Sequence, residues 1–190
     1  MIGYRRVKTV ILGTEDPTER KIRLMALLTS SLPKGKMRPV LAGGSAIEVY
    51  LDGTLRTGDM DVVYNVKALE KVLSAWGFSL GGGIRSWTNE ELGLAVDMVG
   101  EEYNGSYERA TTITTQFGPA TIMGIEDLIV KRLASAKFWR VPTDIEQAYL
   151  LARAHGDKID WTYVGEESGK ADIGDYLVKL QGMLGEKGRR

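Results

Sequence analysis

The stretch Leu41-Ala-Gly-Gly-Ser-Ala46, followed by Asp59-Met-Asp61, is the most informative part of this 190-residue chain. A Gly-Gly-Ser turn between a strand and a helix presents backbone N–H groups that can hold phosphate oxygens. Clustered aspartates supply the oxygen ligands that Mg²⁺ prefers. Thirteen residues separate Ser45 from Asp59, which is enough for one helix and a return strand that brings the two motifs together. The combination predicts a site for a metal-bound nucleoside triphosphate.

The aspartates of the second motif are expected on one face of a strand. Side chains alternate along a strand, so Asp59 and Asp61 point the same way, with Cα atoms about 7 Å apart, and Met60 points the other way. Asp97 lies in the mostly apolar run 92–99, where an unpaired buried carboxylate is costly unless it is protonated, paired or metal-bound. If its strand lies beside that of Asp59 and Asp61, the three carboxylates can hold two divalent ions.

Each motif taken singly also has an ordinary structural interpretation. An Asp-x-Asp pair is typical of a polar strand edge or a loop. The segment Gly43-Gly-Ser45 is equally typical of a tight turn in which Ser45 is the helix N-cap. Taken together, the three features favour a functional site.

Composition and charge limit the class of protein. The chain has no cysteine, which excludes disulfides, thiolate catalysis and cysteine-based zinc sites. Residues 41–110 carry 11 acidic and 5 basic side chains, so an acidic excess coincides with the motif aspartates. No apolar run approaches the roughly 20 residues of a membrane helix, and the N-terminus lacks a signal-peptide core. We therefore expect a cytoplasmic protein that does not interact with a membrane.

Hydrophobic patterning predicts strands alternating with helices, followed by helices alone. The predicted helices are 17–32, 45–51 and 67–76, and the predicted strands are 38–42, 59–63, 92–99 and 111–116. After Gly124, helical spacing starts at Ile125 and again at Pro142, with one or two further helices in the last 35 residues. We predict an α+β fold: a mixed β-sheet core with flanking helices over residues 1–120, and a helical C-terminal subdomain over 121–190.

Several other noticeable residues are given structural roles. The tryptophans Trp76, Trp139 and Trp161 are expected to pack where helices meet the core. His155 is expected to cap a helix C-terminus. The glycines at 81–83 are expected to form a hairpin turn.

The motifs together resemble the nucleotidyltransferase superfamily of the DNA polymerase β type. Its pattern is Gly-Gly/Ser, a spacer, Asp-x-Asp/Glu, and a third Asp on a later strand, and the corresponding residues here are Gly44, Ser45, Asp59, Asp61 and Asp97. Three segments look closest to the minimal nucleotidyltransferases that include abortive-infection toxins of toxin–antitoxin pairs: Gly43-Gly-Ser-Ala46, Thr57-Gly-Asp-Met-Asp61 and Ile125-Glu-Asp-Leu-Ile-Val-Lys131. The resemblance covers residues 38–155, and Thr143-Asp144 stands where toxin members often have Lys-Asp.

The resemblance implies a mixed sheet with flanking helices, NTP as cosubstrate and Mg²⁺ or Mn²⁺ as cofactor. The implied reaction transfers a nucleoside monophosphate to a hydroxyl of an RNA end, a protein side chain or a small molecule and releases pyrophosphate. The implied nucleotide-binding residues are Gly43, Gly44, Ser45 and Lys131; the implied catalytic and metal-binding residues are Asp59, Asp61 and Asp97. Lys131 is also spaced for an ordinary i,i+4 pair with Asp127.

Two other functions stay open at this point. One is a non-catalytic, nucleotide-binding regulator or toxin–antitoxin partner, acting with a cognate antitoxin protein; retention of all three carboxylates favours the enzyme. The other is an aminoglycoside-modifying enzyme, which shares the chemistry and differs in its acceptor. Acidic residues lining a pocket near Asp97 would favour that acceptor, because those antibiotics are polycations.

Overall fold

The computed structural model of the chain describes residues 1–33, 35, 37–83 and 85–187. The chain divides into two compact units, Met1–Met123 and Gly124–Arg190. The first unit holds a seven-stranded mixed sheet with helices, and the second consists of helices over its described residues. The predicted α+β class, with a mixed sheet followed by a helical C-terminal part, is confirmed.

The helices of the first unit are α1 (Tyr4–Leu12), α2 (Pro17–Ser31), α3 (Gly43–Tyr50) and α4 (Val66–Ala75). Helix α2 begins where the sequence indicates, because Pro17 stands in its first turn and the side chain of Asp16 accepts a hydrogen bond from the backbone N–H of Glu19. Helix α1 was not predicted from the sequence. It buries only Val7 and Ile11 and has no side-chain N-cap, so it carries little of the usual sequence signal.

The sheet has the order β3-β4-β5-β2-β1-β7-β6. Its strands are β1 (Val40–Ala42), β2 (Asp59–Val63), β3 (Ser79–Leu80), β4 (Ser86–Asn89), β5 (Leu94–Gly100), β6 (Thr111–Thr115) and β7 (Gly118–Ile122). The pairs β2–β5 and β1–β7 are parallel, and the other neighbours are antiparallel. Strand β7 was not predicted, since Pro119 is unusual in a central strand; it precedes Thr121 and Ile122, the residues that pair with β1.

The two central strands separate an apolar face from a polar one. On β2, Met60 and Val62 are fully buried, and on β5 the same holds for Val96. The alternate residues Asp59 and Asp61 on β2, and Ala95 and Asp97 on β5, are half-buried or exposed. The apolar run that contains Asp97 is therefore a strand with one core face, and Asp97 is half-buried on the other face rather than enclosed in apolar surroundings.

The tryptophan predictions differ in outcome. Trp76 is fully buried, and its indole Nε1 donates a hydrogen bond to the carbonyl of Ile2 at 2.7 Å. Trp161 is half-buried. The expectation that Trp139 packs in the core is wrong, because it is 79% exposed. It follows the last residue of a helix that ends at Phe138, so its position one residue beyond the helical pattern turns it outward.

The helices of the second unit are α5 (Ile125–Phe138), α6 (Pro142–His155), α7 (Trp161–Lys170) and α8 (Gly174–Lys187). Their core contains Ile129, Leu133, Ala148, Leu151, Val164 and Leu180. An ion pair joins the half-buried Arg132 on α5 to the buried Asp144 on α6, with 3.2 Å between Nη1 and Oδ1. In the part of the chain that the structure describes, none of the helices combines the length and apolar character of a bilayer span.

Candidate active site

The parallel pairing of β2 with β5 brings the three motif aspartates onto one face of the sheet. In its register, Asp59 is the partner of Ala95 and Asp61 is the partner of Asp97. Directly paired residues of neighbouring strands project to the same side. Asp97 therefore lies beside Asp61, and Asp59 lies two residues further along the same face, as the alternation of side chains predicts.

Asp97 has an unusual environment for a carboxylate. Its Oδ1 atom is buried and has no hydrogen-bond partner among the described residues. A buried polar atom without a partner costs free energy in the folded protein. Such an atom, on a face shared with two further carboxylates, is the kind of oxygen ligand that a hard divalent cation takes up.

Gly43 lies against the carboxylate of Asp61 at the start of α3. Its φ of +57° lies in the left-handed region, and a Cβ atom built on it would stand 1.7 Å from Oδ2 of Asp61. Only glycine fits this position, on grounds of both backbone conformation and space. The contact joins the Gly-Gly motif directly to the Asp-x-Asp motif.

The Gly-Gly-Ser segment is the first turn of α3 rather than a turn before it. The N-cap is Ala42, which makes no side-chain cap hydrogen bond, so the interpretation of Ser45 as an N-cap is wrong. The backbone N–H groups of a helix's first turn have no partner within the helix and carry the positive end of its dipole. This end of α3 adjoins Asp61.

Ser45 itself is 1% exposed. Its hydroxyl donates a hydrogen bond to the backbone carbonyl of Asp59, accepts one from Nζ of Lys21 at 3.2 Å, and lies 2.9 Å from Oγ1 of Thr57. The side chain that the resemblance assigns to phosphate binding is thus engaged inside the protein.

Lys21 and Glu48 form a buried ion pair beneath the motifs. Nζ of Lys21 is 2.7 Å from Oε2 of Glu48, and the two side chains are 4% and 1% exposed. Glu48 also accepts hydrogen bonds from the hydroxyl of Thr18 at 2.7 Å and from the backbone N–H of Thr57 at 2.9 Å. Burial alone would raise the pKa of Glu48, but these hydrogen bonds and the Lys21 charge outweigh it, and the pKa lies below its ordinary value.

Sequence reasoning missed this ion pair, although one signal for it was present. Lys21 stands at i relative to Leu24, Met25 and Leu28 at i+3, i+4 and i+7, which is the apolar stripe of α2. All three leucine and methionine side chains are fully buried. A lysine in a core-facing helical position needs a buried anionic partner.

Lys131 lies on α5 in the second unit and is exposed, and its contact with a triphosphate stays a prediction. Asp127, four residues earlier, accepts a hydrogen bond from the hydroxyl of Tyr163 at 2.8 Å. Asp144, at the departure from the toxin pattern, is bound to Arg132.

The donor set at the sheet face fits a hard cation, since it consists of carboxylate oxygens and includes the unpartnered Oδ1 of Asp97. The carboxylates share a face, but over residues 1–33, 35, 37–83 and 85–187 no group of three or more histidine, aspartate or glutamate side chains is arranged as a metal site. The arrangement with two metal ions therefore stays a prediction.

No protein-family model and no curated protein sequence matches the chain. Among solved structures, the chain is similar to the solution structure of the antibiotic-resistance factor ANT(2'')-Ia, with a TM-score of 0.49 and 16% sequence identity. The likeness covers 91% of this chain and 96% of that one. The TM-score and the sequence identity are both too low to indicate a family or a function.

Proposed function

We propose that the chain is a metal-dependent nucleotidyltransferase of the DNA polymerase β type, which moves a nucleoside monophosphate from an NTP to a hydroxyl acceptor. The observation that carries the proposal is the parallel pairing of β2 with β5, which sets Asp97 beside Asp61. The close contact of Gly43 with the Asp61 carboxylate supports it, because a phosphate-binding helix start and a carboxylate group adjoin each other.

The residues take the following roles in the proposed reaction. Asp59, Asp61 and Asp97 hold Mg²⁺ or Mn²⁺, and the backbone N–H groups of Gly43 and Gly44 face the phosphates. When bound, the metal would neutralise the negative charge that develops on the α-phosphate during transfer.

Asp97 also receives the proton of the acceptor hydroxyl. The hydroxyl oxygen then bonds to the α-phosphorus, the bond to the oxygen between the α- and β-phosphorus breaks, and pyrophosphate leaves. The acceptor is an RNA end, a protein side chain or a small hydroxylated molecule.

The proposal is tested by incubating the protein with each of the four NTPs and Mg²⁺, together with a panel of RNA, protein and small-molecule acceptors, and measuring pyrophosphate. Asp59→Asn and Asp61→Asn should each abolish pyrophosphate release and leave the circular dichroism spectrum unchanged. Asp52→Asn makes the same chemical change at an exposed position and should have no effect.

Two outcomes would contradict the proposed activity. Undiminished pyrophosphate release by the Asp59 and Asp61 variants would remove the mechanism. Calorimetric binding of Mg²⁺–NTP without turnover on any acceptor would favour the non-catalytic regulator.

A further inference from the structure

We propose that Lys21, Ser45, Glu48 and Thr57 form an anchor network that fixes the phosphate-facing start of α3 to the first carboxylate residue of β2. In this network Ser45 is a positioning residue rather than a phosphate ligand. The inference rests on the proposed function for its consequences in nucleotide binding, but its structural part can be tested without nucleotide.

The anchor network joins three separate segments of the first unit. Lys21 lies on α2, Ser45 and Glu48 lie on α3, and Thr57 precedes β2. Nζ of Lys21 donates to Oε2 of Glu48 at 2.7 Å, to the carbonyl of Thr57 at 2.7 Å and to its Oγ1 at 2.8 Å. A single buried ammonium group therefore holds α3 and the segment that leads into Asp59.

Ser45 completes the connection between the two motifs. Its hydroxyl has one proton, which it donates to the carbonyl of Asp59. The residue that would supply the first metal-binding carboxylate is thus held by its backbone to the first turn of α3. A phosphate could receive the Ser45 proton only if this buried hydrogen bond broke, which would leave the Asp59 carbonyl without that donor.

Stability alone is a poor reason for this arrangement. Desolvation of two charges offsets most of their attraction, and well-packed apolar residues commonly replace a buried ion pair without loss of stability. Lys21 stands in an apolar stripe with Leu24, Met25 and Leu28, where an apolar side chain would pack. What the pair adds is a defined position for α3 and for the segment before Asp59. The hydrogen bonds of Lys21 end on Ser45, Glu48 and Thr57, and Glu48 also accepts one from the backbone N–H of Thr57.

The position of α3 relative to β2 also determines where the Asp61 carboxylate lies. Gly43 allows the Asp61 carboxylate to lie against the start of α3 only while α3 and β2 keep their separation, since the space at Gly43 is smaller than a methyl group. A shift of α3 relative to Asp59 would alter this contact too. The anchor network therefore acts on both carboxylates of β2 through backbone position.

A double-mutant cycle on nucleotide binding distinguishes the two roles of Ser45. One arm is Ser45→Ala; the other is Lys21→Met with Glu48→Leu, which removes both charges together and leaves the Ser45 hydroxyl in place. We expect each arm to weaken Mg²⁺–ATP binding about 10-fold, and all three substitutions together to weaken it by about the same factor, because coupled residues are not additive. Thr18→Val removes another hydrogen bond of Glu48 without touching Ser45 or Thr57 and should change the affinity by less than about 2-fold.

Amide hydrogen exchange on the nucleotide-free protein supplies an independent measurement. Both arms should raise exchange rates at residues 43–46 and 57–61 relative to wild type, at temperatures where thermal melts show every variant folded. Thr18→Val should leave these two segments unchanged.

The inference fails if the two arms multiply to about a 100-fold loss of affinity, if the Lys21/Glu48 variant keeps wild-type affinity, or if exchange in the two segments is unchanged. Absence of Mg²⁺–ATP binding by the wild-type protein would instead contradict the proposed function. The exchange measurement would then decide the positioning role by itself.

Discussion

Gly43 leaves no room for a side chain beside the Asp61 carboxylate. Gly43→Ala places a methyl group against the Asp61 carboxylate and in a left-handed conformation, so we expect both a loss of stability and weaker Mg²⁺–NTP binding. Gly93→Ala is a matched control, since Gly93 also has a positive φ, +63°, but open space around its Cβ position. Urea denaturation should show Gly43→Ala at least about 1 kcal/mol less stable than Gly93→Ala, given a shared conformational cost of about 1–2 kcal/mol. Equal losses in the two variants would contradict the contact.

Asp97→Asn tests the unpartnered carboxylate oxygen. An amide in place of the carboxylate removes a half-buried charge, so the free energy of unfolding of the nucleotide-free protein should stay constant or rise by up to about 1 kcal/mol. The rise in melting temperature caused by Mg²⁺–ATP should be lost. Thermal denaturation with and without Mg²⁺–ATP measures both effects.

Asp144→Asn serves as the comparison for Asp97→Asn. Asp144 is paired with Arg132, and its substitution should destabilise the protein by about 1–3 kcal/mol because the guanidinium loses a charged acceptor. A similar destabilisation by Asp97→Asn would show that Asp97 is a structural residue.

The sequence indicates the candidate carboxylates of the site, but it does not indicate the buried ion pair that holds their strand and helix in place. Asp59, Asp61 and Asp97 are recognisable because an Asp-x-Asp pair occurs together with a Gly-Gly-Ser segment and a third aspartate in a mostly apolar run. Lys21 and Glu48 are 27 residues apart, and their pairing depends on how α2 packs against α3. A lysine in an apolar stripe indicates that a partner is needed, but the partner's identity is a tertiary contact.

Among the elements, α2, α3 and β2 are joined by the anchor network, and this makes their packing sensitive to acid. The pKa of Glu48 lies below its ordinary value: burial would raise it, but hydrogen bonds from Lys21, Thr18 and Thr57 outweigh burial. A carboxylate with a lowered pKa stabilises the fold above its ordinary pKa and loses that contribution as the pH falls toward its pKa in the folded protein. The stability advantage of wild type over Glu48→Gln, about 3–5 kcal/mol near neutral pH, should therefore shrink below about pH 4.3.

Urea denaturation at a series of pH values from about 7 to about 3 measures this advantage, over a range that brackets the ordinary glutamate pKa. Glu146→Gln makes the same chemical change at an exposed glutamate, and its stability should stay close to that of wild type. An advantage of wild type over Glu48→Gln that stays constant down to the lowest pH would contradict the role of the Glu48 charge.

The elements with strong local signals were predicted correctly, and two without them were missed. Strand β2 has the predicted bounds, Asp59–Val63, because polar and apolar side chains alternate at its start. Helix α1 has no side-chain N-cap and buries only Val7 and Ile11. Strand β7 begins with Gly118 and Pro119, which are typical of a loop; its strand character depends on pairing with β6 and β1, which local sequence does not contain.

For the whole molecule, the change from alternating strands and helices to helices alone is sufficient to predict an α+β fold. The order of the strands is not predictable in the same way. The site requires that β5 lies next to β2 in parallel, although β3 and β4 come between them in the chain. That neighbour relation decides whether Asp97 meets Asp61, and it becomes known only from the structure.

Whether Asp61 and Asp97 bind a metal ion beside a triphosphate is tested by a crystal structure of the protein soaked with Mn²⁺ and a non-hydrolysable NTP analogue. We expect an anomalous scattering peak from manganese bound by carboxylate oxygens of Asp61 and Asp97, with the phosphates against the backbone N–H groups of Gly43 and Gly44. A manganese peak away from these carboxylates, or a triphosphate bound away from the start of α3, would contradict it.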